Sequence, residues 1–274
     1  RRLRPLALLI ACVVPATLLH IHGGARGYNV TATDIDAVLD GRIETAHFVI
    51  HYARTPEIEK DIQLIAEDHE LRYAEVVAQL GAAPRGKLQS YYFANADQKA
   101  RWFGARQVEI TKPWQRAIYV DHHAFPHPSL RHEIAHAVAS AFGDPIFGVA
   151  AQRVAGLPLR FDPGLIEGLA VAIDWPGAGY PELTPHEDVR VLQAMGVTPS
   201  IAELQSLGFL AMSSARSYVT AGSFVRFLLD RYGAADLRAV YHSGGDFEAA
   251  YGVPLATLVQ QWRQMISTIH VSDD

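Results

Sequence analysis

Cysteine is almost missing from this 274-residue chain, with Cys12 the only one. One thiol excludes an intrachain disulfide framework and a thiolate zinc site, so any metal must be held by histidine and carboxylate. Clustered positive charge is missing too. The 24 lysines and arginines are scattered among 29 acidic residues, a net charge of −5. That leaves no basic stripe to follow a phosphate backbone and excludes nucleic acid as the expected partner. There is no internal repeat and no low-complexity tract, which removes solenoid and disordered-tail classes. Ala221-Gly222-Ser223 reads as a turn without the flanking pattern of a serine nucleophile elbow, so a serine hydrolase is not indicated. What remains is a chain that is 49% hydrophobic, able to bury a sizeable core as one domain or two small lobes.

Arg1, Arg2 and Arg4 precede a mostly apolar stretch from Leu6 to Ile21, broken by Pro15 and His20. Such a run is short for a membrane span and long enough for a signal core. Residues 1–22 are therefore expected to be a signal or membrane-anchor segment. Positive charge ahead of the apolar run places the downstream chain outside the cytoplasm, secreted or membrane-anchored in a bacterial envelope. Leu9-Ile10-Ala11-Cys12 has the form of a lipobox that would lipidate Cys12. The apolar run continues past it, so a plain signal-segment cysteine is the simpler reading. Without an initiator Met the chain reads as trimmed or as a fragment. Residues 23–42 read as a linker with a short helix at 34–39, and Asn29-Val30-Thr31 is a sequon that matters only in a eukaryotic secretory pathway.

From residue 43 to 270 the pattern is that of a folded domain. Alternation predicts strands at His47–Tyr52, Lys87–Phe93 and Arg116–Val120. Pro56 opens a long amphipathic helix over 57–80, with Ile58, Ile62, Ile65, His69, Tyr73 and Val76 at helical spacing, and Gly81 ends it. Beyond residue 160 the chain reads as helical over 164–173, 187–195, 215–232 and 255–269. The expected class is α+β, with a small N-terminal lobe of three or four strands and a mainly helical C-terminal lobe.

Between them lies His132-Glu133-Ile134-Ala135-His136. Pro128-Ser129 offers an N-cap, residues 130–141 contain neither Gly nor Pro, and Gly143 supplies a stop, so the pentapeptide is expected on a helix. Four-residue spacing puts both imidazoles on one face, close enough to share a tetrahedral ion. Glu133 projects from the neighbouring part of that face, within reach of a metal-activated water, as a general base. His122, His123 and His127 just upstream match no established metal spacing. Pro126 and Pro128 mark their segment as a loop, so solvated histidines are expected there.

A catalytic zinc needs a third protein ligand beside its water. A metzincin would require Gly at 139 and His at 142, where this chain has Ala139 and Phe142. A gluzincin takes a Glu from a second helix, and Glu167, in Leu165-Ile166-Glu167-Gly168-Leu169-Ala170, stands 31 residues after His136. Gly168 would let the two helices approach closely. A lone carboxylate on an apolar helix needs a partner. That partner is either the metal or an arginine such as Arg153 or Arg160, and Glu187, at a helix start, is a competing ligand.

His132-Glu133-x-x-His136, Glu167-Gly168-Leu169-Ala170 and Ser217-Tyr218-x-x-Ala221-Gly222-Ser223-Phe224 together resemble the peptidase MA-like gluzincins, relatives of thermolysin in their zinc-site logic. The likeness runs from about His47 to Ile266 and includes the closing segment with Trp262. It implies a zincin-like fold with the active-site helix between the lobes, one catalytic Zn2+, and hydrolysis of a peptide or protein substrate with Glu133 as base. Tyr218 is the candidate oxyanion donor, or else an ordinary half-buried tyrosine. The strand at 116–120 would be the edge along which a peptide lies, with Ile118 in one wall of the cleft. Thermolysin-type enzymes carry an acidic residue four positions after the ligand Glu, where this chain has Val171, with Asp174 one turn on. Two other readings share these residues: an idle zincin fold kept as a binding or envelope-assembly module, and a zinc amidohydrolase acting on cell-wall peptides.

Overall fold

The computed structural model describes residues 3–22, 30–175, 183–206, 208–209 and 215–271. Residues 23–29 of the expected linker, with Asn29 of the sequon, lie outside these. The chain opens with α1 (Leu3–His22) and α2 (Ala32–Val38). Then come β1 (Gly41–Glu44), β2 (Phe48–Tyr52), α3 (Pro56–Leu80), β3 (Leu88–Phe93), α4 (Ala96–Phe103), β4 (Ile110–Lys112), β5 (Ala117–Asp121) and α5 (Leu130–Ala139). Next is a hairpin of β6 (Ala151–Val154) and β7 (Leu157–Phe161). The rest is helical: α6 (Pro163–Ile173), α7 (Pro185–Ala194), α8 (Ile201–Leu204), α9 (Ala215–Tyr232), α10 (Ala234–Ser243), α11 (Phe247–Tyr251) and α12 (Leu255–Ser267). The architecture is α+β, a mixed sheet with helices and then a largely helical half.

The sheet has five strands in the order β1-β2-β3-β5-β4, more than the three or four expected. β2, β3 and β5 run parallel in the middle, and β1 and β4 pair antiparallel at the two edges. Parallel strands are buried on both faces, and Phe48, Val49, Ile50, Leu88, Tyr92, Phe93, Ile118 and Val120 are all buried. The strand read at 116–120 is thus interior, not an edge. The edge is Ile110–Lys112, three half-buried residues too short to carry a period-two signal.

α3 covers the sheet. Thr55 caps its N-terminus by accepting from the Ile58 amide at 3.3 Å, Pro56 occupies the first turn, and Gly81 at φ 60° closes it in the left-handed region. Its inward face includes His69, fully buried, whose Nδ1–H donates to Ile65 O (2.7 Å) while Nε2 accepts from the Ser90 hydroxyl (2.9 Å). His127 is buried as well, which corrects its expected place in solvent. Its Nε2–H donates to Asp121 O at 2.9 Å and its Nδ1 accepts from the Ser129 amide at 3.2 Å.

The helical half is organised by a tight crossing of α6 and α9. A Cβ at Gly168 would lie 2.8 Å from Ala221 O, so this glycine serves α9 and not α5, contrary to expectation. A Cβ at Gly222 would come within 2.2 Å of Val171 Cγ1. Ala221-Gly222-Ser223 is therefore mid-helix, not a turn. Ser223 Oγ accepts from Trp262 Nε1 (3.0 Å) and donates to His186 Nδ1 (2.8 Å), tying α7 and α12 to α9.

Gly222→Ala is expected to destabilise the protein by about 1–3 kcal/mol through overpacking against Val171, and Val171→Ala in the same chain to restore part of it, as read by urea unfolding. His69, His127 and His186 each have a pKa lowered to about 4, with burial the leading cause. The unfolded chain binds these protons near pH 6.5 and the folded chain only near 4. Their contribution to stability is therefore complete above pH 6.5 and is lost as pH falls toward 4. Asp162 and Glu109, raised by burial, act in the opposite sense. Imidazole NMR should find the His69 and His127 rings still neutral at pH 5, where an exposed histidine is protonated.

Candidate metal centre

α5 places His132 and His136 one turn apart with Nε2 atoms 3.3 Å from each other. Its inner side, Ile134, Ala135, Ala137, Val138 and Ala139, is buried, so the histidine face turns to a cleft. Ser129 stands at the N-cap without a side-chain capping bond. α6 starts at Asp162, whose carboxylate accepts from the Leu165 amide at 2.9 Å, and this start sets Glu167 opposite the histidines. Glu167 Oε2 lies 3.6 Å from His132 Nε2 and 3.5 Å from His136 Nε2. A tetrahedral zinc with bonds of roughly 2.0–2.1 Å separates its ligand atoms by about 3.3–3.4 Å. The three edges lie close to that figure, and the donor set of two imidazoles and one carboxylate is one zinc accepts. Neither arginine takes Glu167: Arg153 pairs with Asp144 at 2.9 Å. Glu187 is engaged in the capping box of α7, accepting from the Thr184 amide and hydroxyl.

Glu133 is buried beside this triangle, and its Oε2 accepts from the Thr111 hydroxyl at 2.7 Å. Thr111 sits on the edge strand β4, so the strand that forms the cleft wall also holds the candidate base. Nothing in the sequence singles out Thr111, since a threonine in a three-residue strand carries no motif. The cleft measures about 570 Å³ and is bounded by residues 107–111, Trp114, Ile166 and Tyr218 together with the triangle and Glu133. Its wall is β4; Ile118 is buried in β5 and does not reach it. Tyr218, at the start of α9, is 37% exposed and rests edge-on against Phe209, ring centroids 5.1 Å apart. Its hydroxyl pKa is raised by burial and then by the charges of Glu167 and Glu133, which line the same cleft.

The titratable groups of the site shift one another. Burial works hardest against ionised Glu167, yet His136 and His132 hold its pKa below the ordinary carboxylate range. His136 is raised in turn: desolvation of its ring is the largest single influence, but Glu167 and Glu133 together outweigh it. A divalent ion, if bound there, would offset the charge of these carboxylates without protonating the imidazoles. Behind the site, Arg131 donates through Nε to Asp174 Oδ1 (3.0 Å) and through Nη2 to Trp175 O (2.8 Å), pinning the end of α6 to the first turn of α5. Burial raises the Asp174 pKa against the pull of Arg131 and His132. Val171 faces Gly222 and could not serve the metal in any case.

Glu109, His123 and His127 also converge within 4.8 Å. There the buried Lys99 ammonium already bridges Glu109 and Asp121, and both ring nitrogens of His127 are committed. A separate cavity of about 340 Å³ beside α3 is more enclosed than the cleft, but its buried polar groups are internally paired, Asp68 with Arg72 and His69 with Ser90. In the cleft two imidazoles and two carboxylates converge on one opening. No family model matches this chain, and neither does any curated protein.

Purified protein should contain about one zinc per chain by elemental analysis, and Glu167→Ala should lose most of it while the fold, read by circular dichroism, persists.

Proposed function

We propose that this chain is a zinc-dependent peptide hydrolase of the gluzincin type on a zincin-like fold. The observation that carries the reading is the His132–His136–Glu167 triangle with a buried carboxylate, Glu133, held beside it by Thr111. A bound zinc would polarise a carbonyl and bring the pKa of a water down to about 7. Glu133 takes the proton of the attacking water and passes it to the leaving amine. Tyr218 donates to the oxygen that gains charge as the water adds. The free edge of β4 offers the main-chain groups along which an extended substrate aligns antiparallel, so strand pairing and positioning of the base are coupled through Thr111.

The substrate is a peptide or protein met outside the cytoplasm, where residues 1–22 direct the chain. Among the described residues no helix is long and apolar enough to cross a membrane. The missing acidic residue at 171, which motivates an idle-fold reading, has a packing cause in the α6–α9 crossing, and the orientation it would supply is replaced on another side by the Arg131–Asp174 pair.

Glu133→Gln should keep the metal and lower peptide turnover by about 10²–10⁴-fold. Thr111→Val should also keep the metal and lower kcat by about 10- to 100-fold, the worth of a hydrogen bond to a charged group. Turnover of a broad peptide library, read by mass spectrometry, checks both; zinc binding with no cleavage of any substrate would reject the reading.

A further inference from the structure

The β6–β7 hairpin is apolar where a surface hairpin is ordinarily polar. Val154, Leu157, Leu159 and Phe161 are 51%, 56%, 63% and 41% exposed. Val154 pairs with Leu157 across a two-residue turn, Ala155-Gly156, in which both residues have positive φ, 51° and 81°. Such turns favour Asn, Asp or Gly at their first central position. Ala155 accepts the strained conformation without adding a polar group, and the tip stays apolar as a result. Residues 145–161 contain two arginines, Arg153 and Arg160, and no acidic residue, in a chain whose net charge is −5.

We propose that this hairpin is a membrane-docking element whose tip enters the interface of a lipid bilayer carrying anionic headgroups. Shape selects that occupant. The tip is convex, with residues 152–157 all exposed, so it has no groove in which a peptide could pair its main chain, whereas the acyl boundary of a bilayer deforms around an apolar protrusion. Charge favours it in part, because Arg160 is exposed just behind the apolar tip, at the depth of the headgroups, while Arg153 beside it is already paired with Asp144. A second element calls for the same surroundings: Leu9, Ile10, Val13, Val14, Leu18 and Leu19 of α1 are each about half exposed. The eight peptide steps from His22 to Val30 span at most about 29 Å, which keeps the folded body within reach of any surface α1 occupies. Weak anchors combine, and two shallow contacts hold where one does not. The inference is independent of peptide hydrolysis. Its consequence for the cleft is geometric: Phe161 meets Phe147 (5.5 Å) and Phe147 meets Trp114 (6.3 Å) at the cleft rim, so a docked hairpin sets the cleft close above the headgroups.

The test uses the full chain with Cys12→Ser and a nitrobenzoxadiazole dye on Leu157→Cys, mixed with vesicles of phosphatidylcholine and phosphatidylglycerol. A blue shift and quenching by lipid-borne spin labels are expected at 157 and not at Gln63→Cys on exposed α3. Emission at 157 that stays as in water while the chain co-sediments with vesicles overturns the proposal, because α1 alone would then account for binding. A response at 157 without vesicles, on raising protein concentration or adding a soluble apolar peptide, overturns it in favour of a protein contact. In the unlabelled chain, Leu157→Asp with Leu159→Asp should weaken vesicle affinity at least tenfold while melting temperature and zinc content hold; unchanged affinity would refute it.

Discussion

One half-buried carboxylate, Glu167, constrains this molecule more than any other group. It lies on an otherwise apolar helix within 3.6 Å of two imidazole nitrogens, and among the described residues no arginine pairs with it. Unpaired charge in such surroundings is costly, and a carboxylate facing two imidazoles would be satisfied by a shared cation. The rest of the helical half can be understood as what holds α6 in the position this requires. Arg131 fixes its C-terminal end to α5, Asp162 caps its start, and glycines at 168 and 222 let α9 press against its other side. Each of these contacts helps to fix where the carboxylate sits.

The sheet contributes the other half of the site. Its parallel centre is buried apart from the half-buried His51 and Gln89, which makes it a stiff platform, and its antiparallel edge β4 carries Thr111 to Glu133. The cleft wall is thus also the device that orients the carboxylate. Lys99, buried between Glu109 and Asp121, holds the segment leading into that edge, so the apparent second metal group is better understood as structural support in which an ammonium is the resident cation.

Much of this is legible in the sequence. The helix with His132, Glu133 and His136 is readable because residue type and 3.6-residue spacing act together, and Glu167 because a lone carboxylate on an apolar helix demands a partner. Long helices such as α3 announce themselves by periodicity and caps. Short elements do not: β1 and β4 have four and three residues, below the length at which alternation is distinguishable from chance, so the central strand β5 passes for the edge. Gly168 points to the wrong neighbour because a small residue signals close approach without naming what approaches. His127 reads as solvated because its loop context carries no sign of the backbone partners that bury it. Thr111 and Arg131 escape a sequence reading for the same reason, as their roles depend on contacts between residues 22 and 43 positions apart.

The central claim is that His132, His136 and Glu167 hold one zinc. X-ray absorption at the zinc edge of the purified full chain tests it most directly. The account predicts a first shell of light N and O donors at about 2.0–2.1 Å, with the multiple-scattering signature of two imidazoles that falls away in Glu167→Ala together with the metal. A shell containing sulfur, a single imidazole, or protein isolated under zinc-replete conditions that binds none would contradict it.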